Sequence, residues 1–256
     1  MNNSVTRQDV VNLVLALGNG AICAEHKREV REIQKFCHAL LLNTGMPTWE
    51  KARAMAAAGK AANAVNHPVV LDPVGAGASR LRREVIGYLL KHVHFTCIKG
   101  NYGEIASLAE GMVRGRHPWS RAALPPRGVD SQKLFLSKSL IQGLSKRTGA
   151  VVIATGSVDL IARGDAFSQV SGGSPWLAAV TGGGCMLSGF LSSRLADAPK
   201  EVLHEPRLCF LLLQRALKDY KESAQRAEEA MRARGLWGPG FFKGFLLNQI
   251  SLKGED

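Results

Sequence analysis

Residues 179–191 read Ala179-Val180-Thr181-Gly182-Gly183-Gly184-Cys185-Met186-Leu187-Ser188-Gly189-Phe190-Leu191, an apolar approach followed by a glycine-rich turn and the start of a predicted helix. Three consecutive glycines at a helix start leave backbone N–H groups uncovered, and the positive end of the helix dipole favours a phosphate or another anion there. The stretch therefore predicts a nucleotide or phosphate site. A tight turn before a buried structural cysteine would explain the same residues. The rest of the chain must therefore decide between an anion site and a structural turn.

Cys185 lies on this turn, directly after the third glycine. The helix start and any nearby cation are expected to stabilise the thiolate form of a cysteine in this position. The residue could then act as a base or as a nucleophile.

The composition is that of an ordinary globular protein that suits anionic ligands. The 256 residues are enough for one large α/β domain, with 46% hydrophobic residues and a formal net charge of +12. That charge also permits loose nucleic-acid adhesion, but the chain has no RNA-binding signature and no regularly spaced zinc ligands, and its aromatic content is low. We therefore expect small anionic ligands and no nucleic-acid partner.

The cysteines and the N-terminus indicate a soluble, cytoplasmic protein. Five cysteines are scattered along the chain without a CxxC pair, which favours reduced thiols in the cytosol. The first ten residues lack a basic region followed by an apolar core, and no apolar run is long enough to span a bilayer. We therefore expect no membrane association.

Strands that alternate with helices predict an α/β fold. The predicted strands are 21–24, 38–43, 69–71, 95–98 and 151–154, with a hairpin arm at 160–162. The predicted helices are 9–17, 25–36, 49–65, 80–92, 130–148, 184–195, 200–216 and 218–234, with a last apolar stretch at 241–250. This order implies a single domain over residues 1–256, whose mostly parallel central sheet has helices on both faces.

Two charged segments are predicted to face solvent. Residues 111–127 contain four arginines and three prolines, and we interpret them as an exposed basic loop. The helix at 218–234, which includes Lys221, carries mixed charges that are typical of a solvent-facing surface.

Polar side chains follow three predicted strands. Asp72 follows the strand at 69–71, Lys99 follows the strand at 95–98, and Thr155 follows the strand at 151–154. The carboxyl ends of parallel strands are where open α/β sheets bind their ligands, and a carboxylate suits a metal as a lysine suits a phosphate. Taken singly, each residue also fits a turn or a solvated charge.

Together these residues resemble hydroxyethylthiazole kinases over almost the whole chain. The motifs that carry the resemblance are Leu71-Asp72-Pro73-Val74-Gly75-Ala76-Gly77-Ala78, Lys99-Gly100-Asn101-Tyr102-Gly103-Glu104-Ile105, Thr155-Gly156-Ser157-Val158-Asp159 and Val180-Thr181-Gly182-Gly183-Gly184-Cys185-Met186-Leu187-Ser188. The resemblance implies a ribokinase-like three-layer sandwich, assembled as a homotrimer with active sites between subunits. It also implies ATP- and Mg²⁺-dependent phosphorylation of the hydroxyethyl group of 4-methyl-5-(2-hydroxyethyl)thiazole, a step of thiamine salvage.

The resemblance also assigns roles to single residues. Asp72 and Glu104 would hold Mg²⁺ and phosphates, and Cys185 stands where related sugar kinases carry the catalytic Asp. Because a thiol is a weak base, we expect Cys185 to assist catalysis rather than to carry it alone. The residues that would contact ATP are Lys99 and Thr155, and those that would contact the thiazole are Gly182 and Cys23.

The chain departs from the family pattern at four places. Lys99 stands where the family usually has Arg, and a point charge in place of a bidentate fork should weaken the grip on the nucleotide. Gly183 replaces a Thr, which predicts a looser anion turn, and Cys23 replaces a Met, which predicts a changed pocket size. The domain is also expected to lack the first strand of the family.

Two alternative functions stay open on the sequence. A kinase of the same superfamily could act on a hydroxymethylpyrimidine or a pyridoxal-like alcohol. A catalytically impaired relative could bind a thiazole or a nucleotide without turnover, a hypothesis motivated by Lys99 and by the expected loss of the first strand.

Overall fold

In the part of the chain that the computed structural model describes, six strands form one sheet, in the order β1-β2-β3-β4-β5-β6. The structure describes residues 1–113 and 136–251. Strands β1 to β4 pair in parallel, and β5 and β6 continue the sheet as antiparallel strands, so the predicted mostly parallel sheet is confirmed. The strands are β1 Leu40–Asn43, β2 Val69–Asp72, β3 Cys97–Asn101, β4 Val151–Thr155, β5 Asp159–Arg163 and β6 Ala166–Val170.

Helices cover both faces of this sheet, and a short 3-10 helix at Gln34–Phe36 follows the second of them. The α-helices in the described residues are α1 Arg7–Ala16, α2 Val30–Ile33, α3 Trp49–Ala64, α4 Arg80–His92, α5 Tyr102–Val113, α6 Lys138–Thr148, α7 Trp176–Ala179, α8 Gly183–Ala196, α9 Lys200–His204, α10 Pro206–Arg232 and α11 Pro239–Ser251.

Alternate side chains of the central strands enter two separate cores. On one face Leu71 and Val152 pack with residues of α3, α4, α5 and α6. On the other face Val70 and Ile153 pack with residues of α1, α8, α10 and α11. Successive strand residues point to opposite faces, so strands that are apolar throughout need a helical layer on each side. The predicted three-layer architecture follows from this pattern.

Three local predictions are wrong. No strand forms at 21–24, where three of the four residues are exposed and have no strand to pair with. The helix predicted at 25–36 is reduced to the single turn of α2 and the 3-10 helix. The break predicted near residue 217 falls instead before Pro206, because proline has no N–H to donate and therefore suits the first turn of α10.

The charged surface predicted at 218–234 is also corrected at one position. Lys221 is only 5% exposed, because its side chain turns inward to pair with Asp159. The predicted basic loop at 111–127 lies outside the described residues from position 114 onward. The beginning of the helix predicted at 130–148 lies outside them as well.

The first residues of the chain lie beside β1. The Met1 ammonium group donates to the carbonyl oxygen of Leu41 at 2.9 Å, and the backbone N–H of Asn43 donates to the carbonyl oxygen of Met1 at 3.1 Å. This pairing carries Asn3 to the carboxyl end of β1. Among the described residues, no helix is long and apolar enough to cross a membrane.

Candidate active site

The carboxyl ends of β2, β3 and β4 bring three predicted site residues to one edge of the sheet. Asp72 ends β2, Lys99 lies in β3, and Thr155 ends β4 opposite Asn101 of β3. The chain leaves the sheet at this edge, so side chains here are free to form a ligand site. Asp72 and Lys99 are 1% and 3% exposed, respectively.

Asp72 has partners on both carboxylate oxygens. Its Oδ1 lies 3.2 Å from the Nζ of Lys99, and its Oδ2 accepts hydrogen bonds from Asn43 Nδ2 and Ser188 Oγ, each at 2.9 Å. Lys99 Nζ also donates to the carbonyl oxygen of Gly184 at 2.9 Å. The buried ion pair therefore ties the sheet to the first turn of α8.

Lys99 is a fixed positive charge in this site. Burial by itself lowers the pKa of its ammonium group, but the charge of Asp72 and the hydrogen bond to it, together with the charge of Glu104, outweigh burial and raise the pKa above its ordinary value. The side chain therefore stays protonated at neutral pH.

Helix α8 begins with uncovered N–H groups. Gly182 precedes the helix with φ of +89°, a left-handed conformation that favours glycine. The N–H of Gly183 donates to the carbonyl oxygen of Val180 at 3.2 Å, whereas the N–H groups of Gly184 and Cys185 have no hydrogen-bond partner among the described residues. Two open donors at the positive end of a helix can bind an anion.

The turn is closely packed at Gly183, which differs from the looser turn predicted from the sequence. A Cβ on Gly183 would lie 2.5 Å from the carbonyl oxygen of Leu177, a backbone atom that cannot move away alone. The missing side chain therefore lets α7 and α8 approach closely.

Cys185 is a neutral thiol in this environment, contrary to the expected thiolate. Burial is the largest cause that raises the pKa of Cys185, and the charge of Asp72 raises it further, although Lys99 and a hydrogen bond from Asn43 act in the opposite direction. Asn43 Nδ2 lies 3.2 Å from Cys185 Sγ. Burial beside a carboxylate therefore favours the protonated thiol.

Glu104 is held at the start of α5 by two backbone donors. Its Oε1 accepts from the N–H of Gly75 at 2.8 Å and its Oε2 from the N–H of Asn101 at 2.7 Å. In return, the N–H of Glu104 donates to Asn101 Oδ1 at 2.9 Å. Burial, and after it the charge of Asp72, raise the pKa of Glu104. The Asp72 carboxylate is therefore close enough to Glu104 to disfavour the ionised form of Glu104.

The Asp72 and Glu104 carboxylates suit a Mg²⁺ ion that is bound together with the phosphates of a substrate. Among residues 1–113 and 136–251, no three His, Cys, Asp or Glu side chains are grouped so that they could hold a metal ion. Mg²⁺ commonly keeps several waters and binds through one or two carboxylates together with substrate phosphates. Asp72 and Glu104 fit that mode, which does not need an all-protein cage.

The turn after β4 is fixed by its neighbours. Thr155 Oγ1 donates to the carbonyl oxygen of Gly100 at 3.3 Å, and the N–H of Gly156 donates to Asp159 Oδ1 at 3.0 Å. A Cβ on Gly156 would lie 2.7 Å from the ring of Tyr102, so only glycine permits this close approach. Thr155 therefore belongs to a well-defined turn at the same edge as Lys99.

Of the two residues expected to contact the thiazole, Gly182 belongs to this cluster and Cys23 does not. Gly182 precedes α8, and a Cβ added to it would lie 3.0 Å from the methyl group of Thr6. Cys23 is exposed in the irregular segment before α2. No hydrogen bond among the described residues joins Cys23 to the cluster.

Sequence reasoning missed three polar residues of the site, which are Asn3, Asn43 and Ser188. Asn43 ends β1, so the rule that identified Asp72 and Thr155 applies to it equally. Asn3 Nδ2 donates to Asn43 Oδ1 at 2.9 Å, a contact that no local pattern could indicate. Ser188 lies on α8 and is completely buried, and its spacing from Gly184 places both on one face of the helix.

The assembled groups can perform phosphoryl transfer to an alcohol. That reaction needs neutralised phosphate charge, a positioned hydroxyl group and an acceptor for the hydroxyl proton. Lys99 and the open N–H groups of Gly184 and Cys185 supply positive charge, and the Asp72 carboxylate and the Cys185 thiol lie beside them.

Comparison with known proteins agrees with this chemistry. The sequence profile of the hydroxyethylthiazole kinase family matches residues 1–253. A hydroxyethylthiazole kinase of Clostridium acetobutylicum is 38% identical over 206 residues, which cover 78% of this chain and 74% of the relative. A hydroxyethylthiazole kinase of Desulfovibrio desulfuricans is 34% identical over 266 residues, which cover 98% of this chain and 87% of the relative.

Two solved structures share the fold. A hydroxyethylthiazole kinase from Pyrococcus horikoshii superposes with a TM-score of 0.78 at 27% identity, covering 98% of this chain and 85% of the other. A Bacillus subtilis pyridoxal kinase in complex with ADP superposes with a TM-score of 0.51 at 14% identity, covering 83% of this chain and 85% of the other. The predicted ribokinase-like sandwich is thereby confirmed.

Proposed function

The chain belongs to the hydroxyethylthiazole kinase family, and we propose that it transfers the γ-phosphoryl group of ATP to the hydroxyl oxygen of 4-methyl-5-(2-hydroxyethyl)thiazole, a step of thiamine salvage. The observation that carries the proposal is the buried pair of Asp72 and Lys99, held against the glycine turn of α8. Family membership supports the kinase activity. The Asp72–Lys99 ion pair supports the location of the phosphoryl transfer at the carboxyl ends of β2 and β3.

Lys99, Thr155 and the first turn of α8 bind the nucleotide in this proposal. The protonated Lys99 attracts the phosphates, and the open N–H groups of Gly184 and Cys185 receive negative charge that develops on the transferred group. Thr155 contacts the nucleotide from the turn after β4. These groups are fixed before the ligand binds, so their orientation costs little during the reaction.

Asp72 and Glu104 hold Mg²⁺ in this proposal. When bound, the ion neutralises charge on the phosphates. Asp72 also keeps Lys99 in place and accepts from Asn43 and Ser188, so a single carboxylate organises four elements of the site.

Cys185 assists the transfer by orienting the hydroxyl group of the acceptor. Its raised pKa keeps a proton on Sγ, so the thiol can hydrogen-bond to the hydroxyl oxygen but is a poor acceptor for the hydroxyl proton. Phosphoryl transfer through a loose transition state demands little of a base, so the hydroxyl proton leaves once the new P–O bond has formed and passes to an oxygen of the transferred phosphoryl group or to water. We expect Cys185→Ala to lower kcat by about tenfold to a hundredfold, and a variant with undiminished turnover would remove this role.

The acceptor side of the site includes Gly182, and Cys23 reaches it between subunits. We propose a homotrimer, because the exposed position of Cys23 fits a contact made across a subunit boundary. The five free thiols support a cytoplasmic protein.

A panel of acceptors tests the substrate. Purified protein with Mg²⁺ and ATP should form ADP and a phosphorylated product with hydroxyethylthiazole, and should use hydroxymethylpyrimidine and pyridoxal poorly. A clear preference for the pyrimidine or for pyridoxal would overturn the proposed substrate. Thiazole or nucleotide binding without any phosphoryl transfer at high enzyme concentration would instead indicate an inactive relative.

A further inference from the structure

Lys221 is a charged side chain in the interior for which the proposed chemistry has no direct use. It lies on α10, its Nζ is 3.2 Å from Asp159 Oδ2, and it donates to the carbonyl oxygen of Val170 at 3.0 Å. A buried ammonium group is costly unless it is paired and hydrogen-bonded. Both conditions are met here, so the burial of the Lys221 ammonium group is compensated by its ion pair and its hydrogen bond.

The ion pair of Lys221 and Asp159 is connected by a hydrogen bond to the turn at residues 155–158. Asp159 uses its other oxygen, Oδ1, to accept from the N–H of Gly156 at 3.0 Å. The Lys221 ammonium group, the Asp159 carboxylate and the Gly156 N–H thus form a continuous chain of polar contacts. The carboxylate can hold the turn in place only while Lys221 fixes its position.

Tyr102 holds the same turn from the other side. Its hydroxyl group donates to the carbonyl oxygen of Val158, and its ring lies against Gly156. The turn is therefore clamped between α5 and the chain of contacts that begins on α10. If Asp159 were released, Gly156 would lose its acceptor while Tyr102 would still hold the far end of the turn.

The neighbouring residue on α10 makes the equivalent contact to the glycine turn. The hydroxyl group of Tyr220 donates to the carbonyl oxygen of Gly183 at 2.9 Å, and Tyr220 is almost completely buried. Tyr220 directly, and Lys221 through Asp159, thus connect α10 to the two loops that bind the nucleotide in the proposed function.

We propose that Lys221 is a positioning residue for the nucleotide, because through Asp159 it fixes the turn at residues 155–158 that contacts ATP. The inference rests on the proposed function for the identity of the ligand. Lys221 is distant in sequence from the other site residues, and its substitution is expected to affect nucleotide binding and not thiazole binding. The thiazole side has no contact with Lys221 in this scheme.

The test compares Lys221→Met with Lys221→Arg and Lys218→Met. Lys218 is on the same helix, but its side chain is 61% exposed, so Lys218→Met is the matched control. For Lys221→Met we expect the KM for ATP and the directly titrated Kd for ADP to rise about tenfold. The KM for the thiazole and kcat should stay within about twofold of wild type. Lys221→Arg should restore part of the loss, and the control should match wild type.

A folded Lys221→Met variant with wild-type ADP affinity would overturn the proposal. A loss of kcat in step with the folded fraction, with both KM values and the ADP affinity unchanged, would also overturn it. If Lys221→Met does not fold, the double variant Lys221→Met/Asp159→Asn removes both buried charges, and it should show the same selective loss of ADP affinity. A wild-type protein that binds ADP but phosphorylates no thiazole would contradict the proposed function alone, because the titration still tests Lys221.

Discussion

The Asp72 carboxylate raises the pKa of both the Cys185 thiol and the Lys99 ammonium group, so both groups keep their proton. The Asp72 carboxylate disfavours a thiolate and favours an ammonium ion, so one residue keeps the first neutral and the second charged. Burial and the Asp72 charge together keep the thiol protonated, and Asp72 is the strongest of the influences that keep the ammonium group charged. Variants of Lys99 and the titration of Cys185 are two separate tests of the effect of Asp72 on its neighbours.

The reactivity of Cys185 should depend on pH in the way that a raised pKa requires. The rate of alkylation by iodoacetamide should rise with pH through a midpoint above about 8.5, the ordinary thiol value. The same peptide in urea-unfolded protein provides the control, and mass spectrometry separates it from the other cysteines. Because the unfolded chain loses this proton first as pH rises, the contribution of the thiol to stability is lost above the unfolded pKa. A midpoint below that of the unfolded control would contradict the assigned environment.

Removal of the charge of Lys99 should destabilise the fold. Lys99→Met leaves the Asp72 carboxylate buried without its cation, and we expect the free energy of unfolding in urea to fall by about 3–5 kcal/mol. Arg80→Met is the control, because Arg80 pairs with Glu84 on the surface and is 84% exposed there. That control should change stability by about 1 kcal/mol or less. Equal effects of the two substitutions would contradict a buried ion pair.

At the scale of elements, the crossing of α7 and α8 depends on a glycine. Gly183→Ala would place a methyl group 2.5 Å from the carbonyl oxygen of Leu177, so the two helices must move apart. We expect a loss of about 1–3 kcal/mol in urea unfolding. Nucleotide affinity should weaken as well, because the open N–H groups of Gly184 and Cys185 shift with the helix.

The control for this substitution is Gly244→Ala on α11, where an added Cβ meets no atom within 4 Å. An alanine there should stabilise the helix by about 0.5–1 kcal/mol. A Gly183→Ala protein as stable as the Gly244→Ala protein would contradict close packing at the turn.

The elements also explain which parts of the site could be predicted from the sequence. Asp72 and Thr155 follow apolar runs, and that local pattern is sufficient because parallel strands end at one edge. Lys221 could not be predicted in this way, because the charges around it on α10 face solvent and only the contact with Asp159 distinguishes it. The apolar run at 21–24 has strand-like composition but no pairing partner, and partners are decided by the fold as a whole.

At the scale of the whole molecule, exposed aromatic side chains are consistent with assembly. Trp237, two residues before α11, is 63% exposed, and Phe241, in the first turn of α11, is 50% exposed. Light scattering after gel filtration should give close to three times the chain mass of 27.6 kDa. A single-chain mass at micromolar concentration would contradict the proposed trimer.

In the proposed function, Asp72 organises a phosphoryl-transfer site at the carboxyl ends of β2, β3 and β4. Its most direct test is the rate of thiazole-dependent ADP formation by wild-type protein and by Asp72→Asn, with circular dichroism to establish that the variant is folded. We predict turnover by the wild type and a loss of kcat of about a hundredfold or more in the variant. Equal rates for the two folded proteins would contradict the claim.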